Sequence, residues 1–402
     1  MMTGGRVKGV RDFIGREAVL RQLTLQKIRE TYEAFGFEPL ETPILEYLSL
    51  FTDKSGPEIE NQLYSFEDKK GEKLALRPEQ TVSRLRVITE NKSISKPLKA
   101  YGIGNVWRYE DTSKGRYREF MQADVDVYGS SSIAYDAEVI ACVDAALKNV
   151  GITGYKISLN NRKVLRDTLD SIGIGPLKEA QALRELDKID KIGKEAVLDS
   201  LSSLVGKDKA IKIIEFLEGK YKVKSEGDKE LNELINYLKK YGISNFQIDN
   251  SLVRGLAYYD GNIFEFIVKT PQYSGTIAGG GRYDKLSQKF GVSLPVVGMA
   301  IGFERIMDIL KEAPTEDFTE RYCVLNIDNI DKAIEVASKL RKKGNNTDIL
   351  LDGSSLSKGL SYCSAKGIRY AVIVGNKDLQ KGEVTIRDLK EKKDSKVKET
   401  EL

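Results

Sequence analysis

The chain has 402 residues, 41% apolar and 31% charged, and its 64 basic and 60 acidic side chains leave a net charge of +4. That length fills about two to four domains, the charge is too mild to announce nucleic acid by itself, and no run approaches the roughly 20 apolar residues of a membrane span. Histidine is absent, which removes Ser-His-Asp and Cys-His nucleophile systems, His-ligated zinc and the commonest general base.

What remains for chemistry is arginine, carboxylates, tyrosine, backbone groups and bound ions, a set suited to stabilising charge in phosphoryl and nucleotidyl transfer. The opening MMTGGRVKGVRDF lacks the apolar core of a secretory signal. Cys142, Cys323 and Cys363 lie far apart among apolar neighbours, so they read as buried free thiols of a reducing, cytoplasmic compartment.

In chain order, residues 16–35 carry Leu20, Leu23, Ile28, Tyr32 and Phe35 near helical spacing, which predicts a helix ending near Gly36. Phe37 to Phe51, with Pro39 and Pro43, suggests a short strand and a turn into another helix. LKAYGIGNVWRYE and REFMQADVDVYG flank the polar loop 111–115 as a hairpin with a long tip. Residues 134–149 read as a helix, and the charged, helix-favouring stretch of about 163–245 looks inserted. β character returns at 252–284, and a further helix is expected over about 298–312. After a linker at 311–320, strands and helices alternate from Tyr322 to Leu389, predicting a small α/β domain with a largely parallel sheet. The charged tail EKKDSKVKETEL is expected to fray.

Alternation in the hairpin puts Arg108 with Glu110, and Gln122 with Asp124, Asp126 and Tyr128. Such a face is expensive to desolvate unless it binds something polar, although a sheet with one wet face is an equal reading. Lys114, Arg116 and Arg118 in the loop, with Arg108, suit phosphate oxygens, or form a solvated basic turn. Gly298, Gly302 and Arg305, at i, i+4 and i+7 of the expected helix, form a flat strip for a base or phosphate, or a packing face. GTIAGGGRYD is glycine-rich without the ending of a P-loop; its glycines imply backbone close to a ligand or another strand. LRPEQT starts a helix, and its Glu79 either caps that helix or accepts from a ligand.

Taken together, these segments resemble the histidyl-tRNA synthetase family over nearly the whole chain. ETPILEYLSLF, VWRYEDTSKGRYREFMQADVDVYG and PVVGMAIGFERI resemble class II motifs 1, 2 and 3, while LVRGLAYYDG and GTIAGGGRYD resemble the two segments peculiar to histidyl enzymes. The resemblance implies an α+β class II core with an antiparallel sheet flanked by helices, a helical insertion at about 163–245, a catalytic domain over 1–320 and an α/β anticodon-binding domain over 321–402. It implies a homodimer, with no membrane attachment, that activates L-histidine with ATP and Mg²⁺ and esterifies tRNA(His), releasing AMP and pyrophosphate. No protein-only metal site is implied, the Mg²⁺ arriving with ATP.

By the same resemblance, Arg108 holds the α-phosphate of ATP and the carboxylate side of histidine. Glu110, Arg116, Phe120 and Arg305 position the nucleotide. Glu79, Gln80 and Thr81 line the histidine site, Gln122 and Asp126 receive its ammonium group, and Tyr258, Tyr259 and Tyr283 surround the imidazole. Arg254 stands by the α-phosphate in place of an additional metal ion, with Ala257 where the family commonly has Asp. Asp126, where many bacterial relatives carry Glu, resembles the archaeal and eukaryotic branch. Lys358, Lys366, Arg369 and Lys377 could meet RNA phosphates or form a solvated face. The rival reading is an idle paralogue that partners an ATP phosphoribosyltransferase; the presence of residues 321–402 and of Arg254 argues against it.

Overall fold

The structure is a computed structural model that describes residues 5–55, 60–113, 115–186, 188–252, 258–271, 273–311, 319–353 and 355–402. Arg254, Ala257 and Lys114 lie outside the described residues. The chain divides into two units, Met1–Asp12 with Gln22–Lys311, and Phe13–Arg21 with Glu312–Leu402.

The first unit is built on an eight-stranded sheet in the order β1-β5-β6-β11-β10-β9-β7-β8. Its strands are β1 (Glu38–Pro39), β5 (Leu98–Trp107), β6 (Glu119–Tyr128), β7 (Tyr155–Asn161), β8 (Phe246–Ile248), β9 (Asn262–Lys269), β10 (Ser274–Arg282) and β11 (Val296–Gly302). All pairings are antiparallel except the edge pairs β1–β5 and β7–β8. The expected hairpin is β5–β6, in register from Leu98↔Tyr128 to Trp107↔Glu119. The helices Ala134–Asn149 and Glu226–Lys240 pack together on this sheet. Ser225 caps the second of them, and its backbone N–H donates in return to the Asp228 carboxylate. The helices from Arg162 to Leu217 enclose a core of their own, with Leu165, Leu169, Leu201 and Ile213 at its centre. A three-stranded sheet, β2 (Leu45–Tyr47), β4 (Lys73–Leu76) and β3 (Tyr64–Glu67), leads into the helix Thr81–Glu90.

One expected helix is mostly a strand. The periodicity at 298–312 predicts a helix starting near Gly298, but Val296–Gly302 is β11 and only Phe303–Leu310 is helical. Two glycines cost a helix about 1 kcal/mol each. As a strand, Val297 pairs with Val127 on one side and Arg282 on the other. The helical strip of Gly298, Gly302 and Arg305 is therefore absent, and Gly298 lies opposite Asp126 instead.

In the second unit the order is β13-β12-β14-β15-β16, comprising β12 (Thr319–Asn326), β13 (Thr347–Leu350), β14 (Ile368–Val374), β15 (Glu383–Asp388) and β16 (Lys393–Lys398). β13–β12–β14 is parallel, with the helices Ile330–Lys342 and Leu356–Ala365 as crossovers. β14–β15–β16 is antiparallel, so the sheet is mixed rather than largely parallel. The charged tail does not fray. Its residues 393–398 pair with β15 from Glu383↔Lys398 to Asp388↔Lys393, and Leu402 is buried in the core with Val384. Paired backbone outweighs a composition that alone favours solvent.

Candidate active site

The site begins where β4 ends. Arg77 is buried, and its guanidinium donates to Asn105 O at 3.0 Å and Thr42 O at 2.9 Å, fixing the turn that follows. Glu79 then accepts from the backbone N–H of Thr81 at 2.5 Å and of Val82 at 3.1 Å, satisfying donors at the start of the helix Thr81–Glu90. The same carboxylate lines a cavity, so both readings of Glu79 hold. Burial raises its pKa, against the pull of those N–H groups and of Arg108. Arg108 donates its Nε to Pro78 O at 2.8 Å and lies over the Phe120 ring at 5.2 Å, which aims it across the cavity mouth.

The floor comes from β6 and β11. Gln122, Asp124 and Asp126 share one face of β6 and stand opposite Gly302, Ala300 and Gly298. These small partners leave room for the longer side chains. A Cβ built on Gly298 would overlap Asp126 Oδ1 and come within 3.1 Å of Val125 O. Asp126 accepts from the Tyr283 hydroxyl at 2.5 Å. Burial pushes Asp124 up to about 7 and raises Asp126, while the Arg84 guanidinium pulls both down.

Tyr258, Tyr259 and Tyr283 form the wall. Their ring centroids are 4.9 Å (258–259), 5.5 Å (258–283) and 6.2 Å (259–283) apart, all in tilted or edge-on contact. Burial raises all three phenols, so they stay protonated and can donate. The glycines of β10 admit this wall, and strand approach is the main reason for them. A Cβ on Gly281 would meet Asn262 O at 2.6 Å and Tyr259 Cδ1 at 3.0 Å, and one on Gly280 would overlap Gly298 O. Arg282, by contrast, is turned away from the cavity into a buried ion pair with Asp136.

Of the residues singled out in sequence, Glu79, Thr81, Arg108, Gln122, Asp124, Asp126, Tyr258, Tyr259 and Tyr283 line one cavity. Gln80 does not line it; its amide donates to Gly102 O at 3.4 Å and to Asp124 Oδ2 of the floor at 3.3 Å. Glu110 and Arg116 sit 3.8 Å apart in the hairpin loop, beyond the strand end at Trp107, so strand alternation does not govern Glu110. Arg305 donates to Thr276 O at 2.6 Å, and its Cγ would lie 3.5 Å from a Cβ on Gly115 of that loop. Arg84, Gly279, Gly298, Met299 and Ala300 also line the cavity. Arg84 is legible only as a residue one turn after Thr81, and Gly298, singled out as part of a helical strip, instead serves the floor from β11. In the second unit Arg369 is paired with Asp388 at 2.9 Å and with Glu320, whereas Lys358, Lys366 and Lys377 are exposed. Among the described residues no group of three acidic or cysteine side chains could hold a metal ion, and no helix is long and apolar enough to cross a membrane.

The sequence model described as Histidyl-tRNA synthetase matches residues 9–306, and that described as Anticodon binding domain matches 322–402. A histidine–tRNA ligase of Pyrococcus abyssi is 38% identical over 96% of this chain and 94% of its own. The crystal structure of histidyl-tRNA synthetase from Nostoc sp. PCC 7120 superposes with a TM-score of 0.85 at 26% identity, covering 99% of this chain and 97% of that one. An ATP phosphoribosyltransferase regulatory subunit/histidyl-tRNA synthetase from Bacillus halodurans C shares the fold, with a TM-score of 0.78 at 22% identity over 93% and 98% of the two chains. Fold alone therefore does not separate ligase from paralogue, but identity with the archaeal ligase and the matched segments at both ends do: the chain belongs to the histidyl-tRNA synthetase family.

Proposed function

We propose that this histidine–tRNA ligase binds its amino acid in the cavity between Glu79, Asp126 and the three tyrosines, with ATP entering past Arg108. The observation that carries this is the union, in one small buried space, of unmet acceptors on β6 with tyrosine hydroxyls. Imidazole and ammonium N–H groups meet the acceptors, and an amino acid without matching groups leaves buried polar atoms unpaired. Glu79 and Gln122 take the ammonium side together with Asp126.

In the first step a histidine carboxylate oxygen attacks the α-phosphorus in line. The bond to the β-phosphate oxygen breaks and pyrophosphate leaves. Negative charge grows on the phosphoryl oxygens, where Arg108 offers fixed positive charge that needs no reorganisation. Arg254, assigned by resemblance, supplies a second guanidinium. Mg²⁺ is counted with the triphosphate as part of the substrate, where it neutralises phosphate charge. In the second step a terminal ribose hydroxyl of tRNA attacks the acyl carbon, AMP departs, and an adenylate phosphate oxygen takes the hydroxyl proton. Neither step requires a side-chain base, which is consistent with a chain lacking histidine.

We assign 1–320 to catalysis and 321–402 to the anticodon, in keeping with the two matched segments. Exposed Ile44, Leu45, Tyr47 and Phe66 around the three-stranded sheet support a homodimer contact. Three free buried thiols fit work in the cytoplasm.

Purified protein with Mg²⁺ is expected to exchange labelled pyrophosphate into ATP only when histidine is supplied. Exchange with every amino acid, or with none, would refute the pocket assignment. Arg254→Ala is expected to lower the exchange rate by at least about 100-fold with unchanged circular dichroism, because its charge acts mainly in the transition state; a wild-type rate would remove Arg254 from the mechanism.

A further inference from the structure

At the floor of the amino-acid cavity lies a cation that the mechanism above does not use. Arg84, in the helix Thr81–Glu90, is completely buried. Its Nη2 donates to Asp124 Oδ2 at 2.8 Å and lies 2.9 Å from Asp126 Oδ2. One guanidinium nitrogen thus serves two carboxylates on the same face of β6. The other groups facing this pair are Arg77 and Glu79 before the helix, Tyr32 from the N-terminal helix, Tyr128 from β6, Tyr258 and Tyr259 before β9, and Tyr283 beyond β10.

Two like carboxylates held together away from water cannot both stay ionised without a cation between them. Asp126 spends Oδ1 on the Tyr283 hydroxyl. Its Oδ2 is held in the ion pair with Arg84, while Asp124 Oδ1 and Gln122 Oε1 are buried without a hydrogen-bond partner among the described residues. Arg84 Nε and Nη1 are likewise without one. A buried ion pair with donors and acceptors left over is a poor stabiliser of a fold. It suits a site in which the leftover acceptors await a ligand.

We propose that Arg84 is a positioning residue for histidine recognition: by sharing one guanidinium nitrogen between Asp124 and Asp126 it keeps Asp126 charged and its carboxylate fixed at the cavity floor. This rests on the assignment of Asp126 to the histidine site made above. Arg84 acts through that carboxylate, so its loss changes affinity for the amino acid and leaves the nucleotide side alone.

The test is histidine-dependent pyrophosphate exchange by the full chain at neutral pH. Arg84→Met, which keeps the stem and removes the charge, should raise KM for histidine about tenfold or more, with KM for ATP within about twofold and a smaller change in kcat. Arg84→Lys restores the charge and should recover all but about threefold. Equal changes in both KM values, or a fall in kcat alone, would mean a structural role and overturn the proposal. Asp126→Asn separates the two readings. If it raises the histidine KM while Arg84→Met does not, the role of Arg84 fails alone; if it leaves that KM unchanged, the site assignment falls and this proposal with it. Should Arg84→Met not fold, Asp124→Asn decides. Arg84 then serves Asp126 only, so the pH below which the histidine KM rises should move down by about half a unit or more, and an unmoved profile overturns the proposal.

Discussion

Gly298→Ala is expected to lower kcat/KM for histidine by at least about 100-fold, or roughly 2.7 kcal/mol of transition-state stabilisation. The added Cβ would occupy the place of Asp126 Oδ1 and press on Val125 O across the β6–β11 pair. The backbone of a central strand cannot retreat, since β11 is paired on both sides. Asp126 must therefore swing away and lose the Tyr283 hydroxyl. Overpacking costs about 1–3 kcal/mol of stability, so the variant should remain folded by circular dichroism and still bind ATP. Wild-type exchange kinetics in this variant would mean that Asp126 does not need its present position.

The second large effect is on stability. Asp136→Ala should destabilise the first unit by about 3–5 kcal/mol, because it strands a buried arginine. Asp136 is fully buried near the start of the helix Ala134–Asn149, where it accepts from Arg282 and from Asn262 Nδ2 at 3.2 Å. Arg282 would keep only carbonyl partners, Ser130 O at 3.0 Å and Ser132 O at 3.2 Å, and a more distant Asp284 at 3.4 Å. Thermal unfolding should show the loss as a transition lowered by about 5–8 °C. Removing both charges together, Asp136→Leu with Arg282→Met, should cost much less than the single change. An equal drop in the two variants would show that the pair is not the cause.

That ion pair also corrects the motif in which Arg282 sits. GTIAGGGRYD is legible as glycine-rich backbone close to something, and its residues divide between tasks that no spacing reveals. Gly279 and Tyr283 face the cavity, Gly280 and Gly281 admit neighbouring strands and the Tyr259 ring, and Arg282 anchors the sheet to a helix.

By itself the sequence determined the elements whose signals are local. These include the β5–β6 hairpin with its long tip, the helix over 134–149 and the alternating elements after residue 320. Alternation along β6 also placed Gln122, Asp124 and Asp126 together, because period two holds wherever a strand forms. Tertiary structure alone decided the strand at Val296–Gly302, the pairing of Lys393–Lys398 and the meeting of Arg84 with two carboxylates. The reason is the same in each case. A strand is stable only against partners distant in sequence, and a buried charge is tolerable only beside another that the fold delivers, so neither is written in the neighbouring residues.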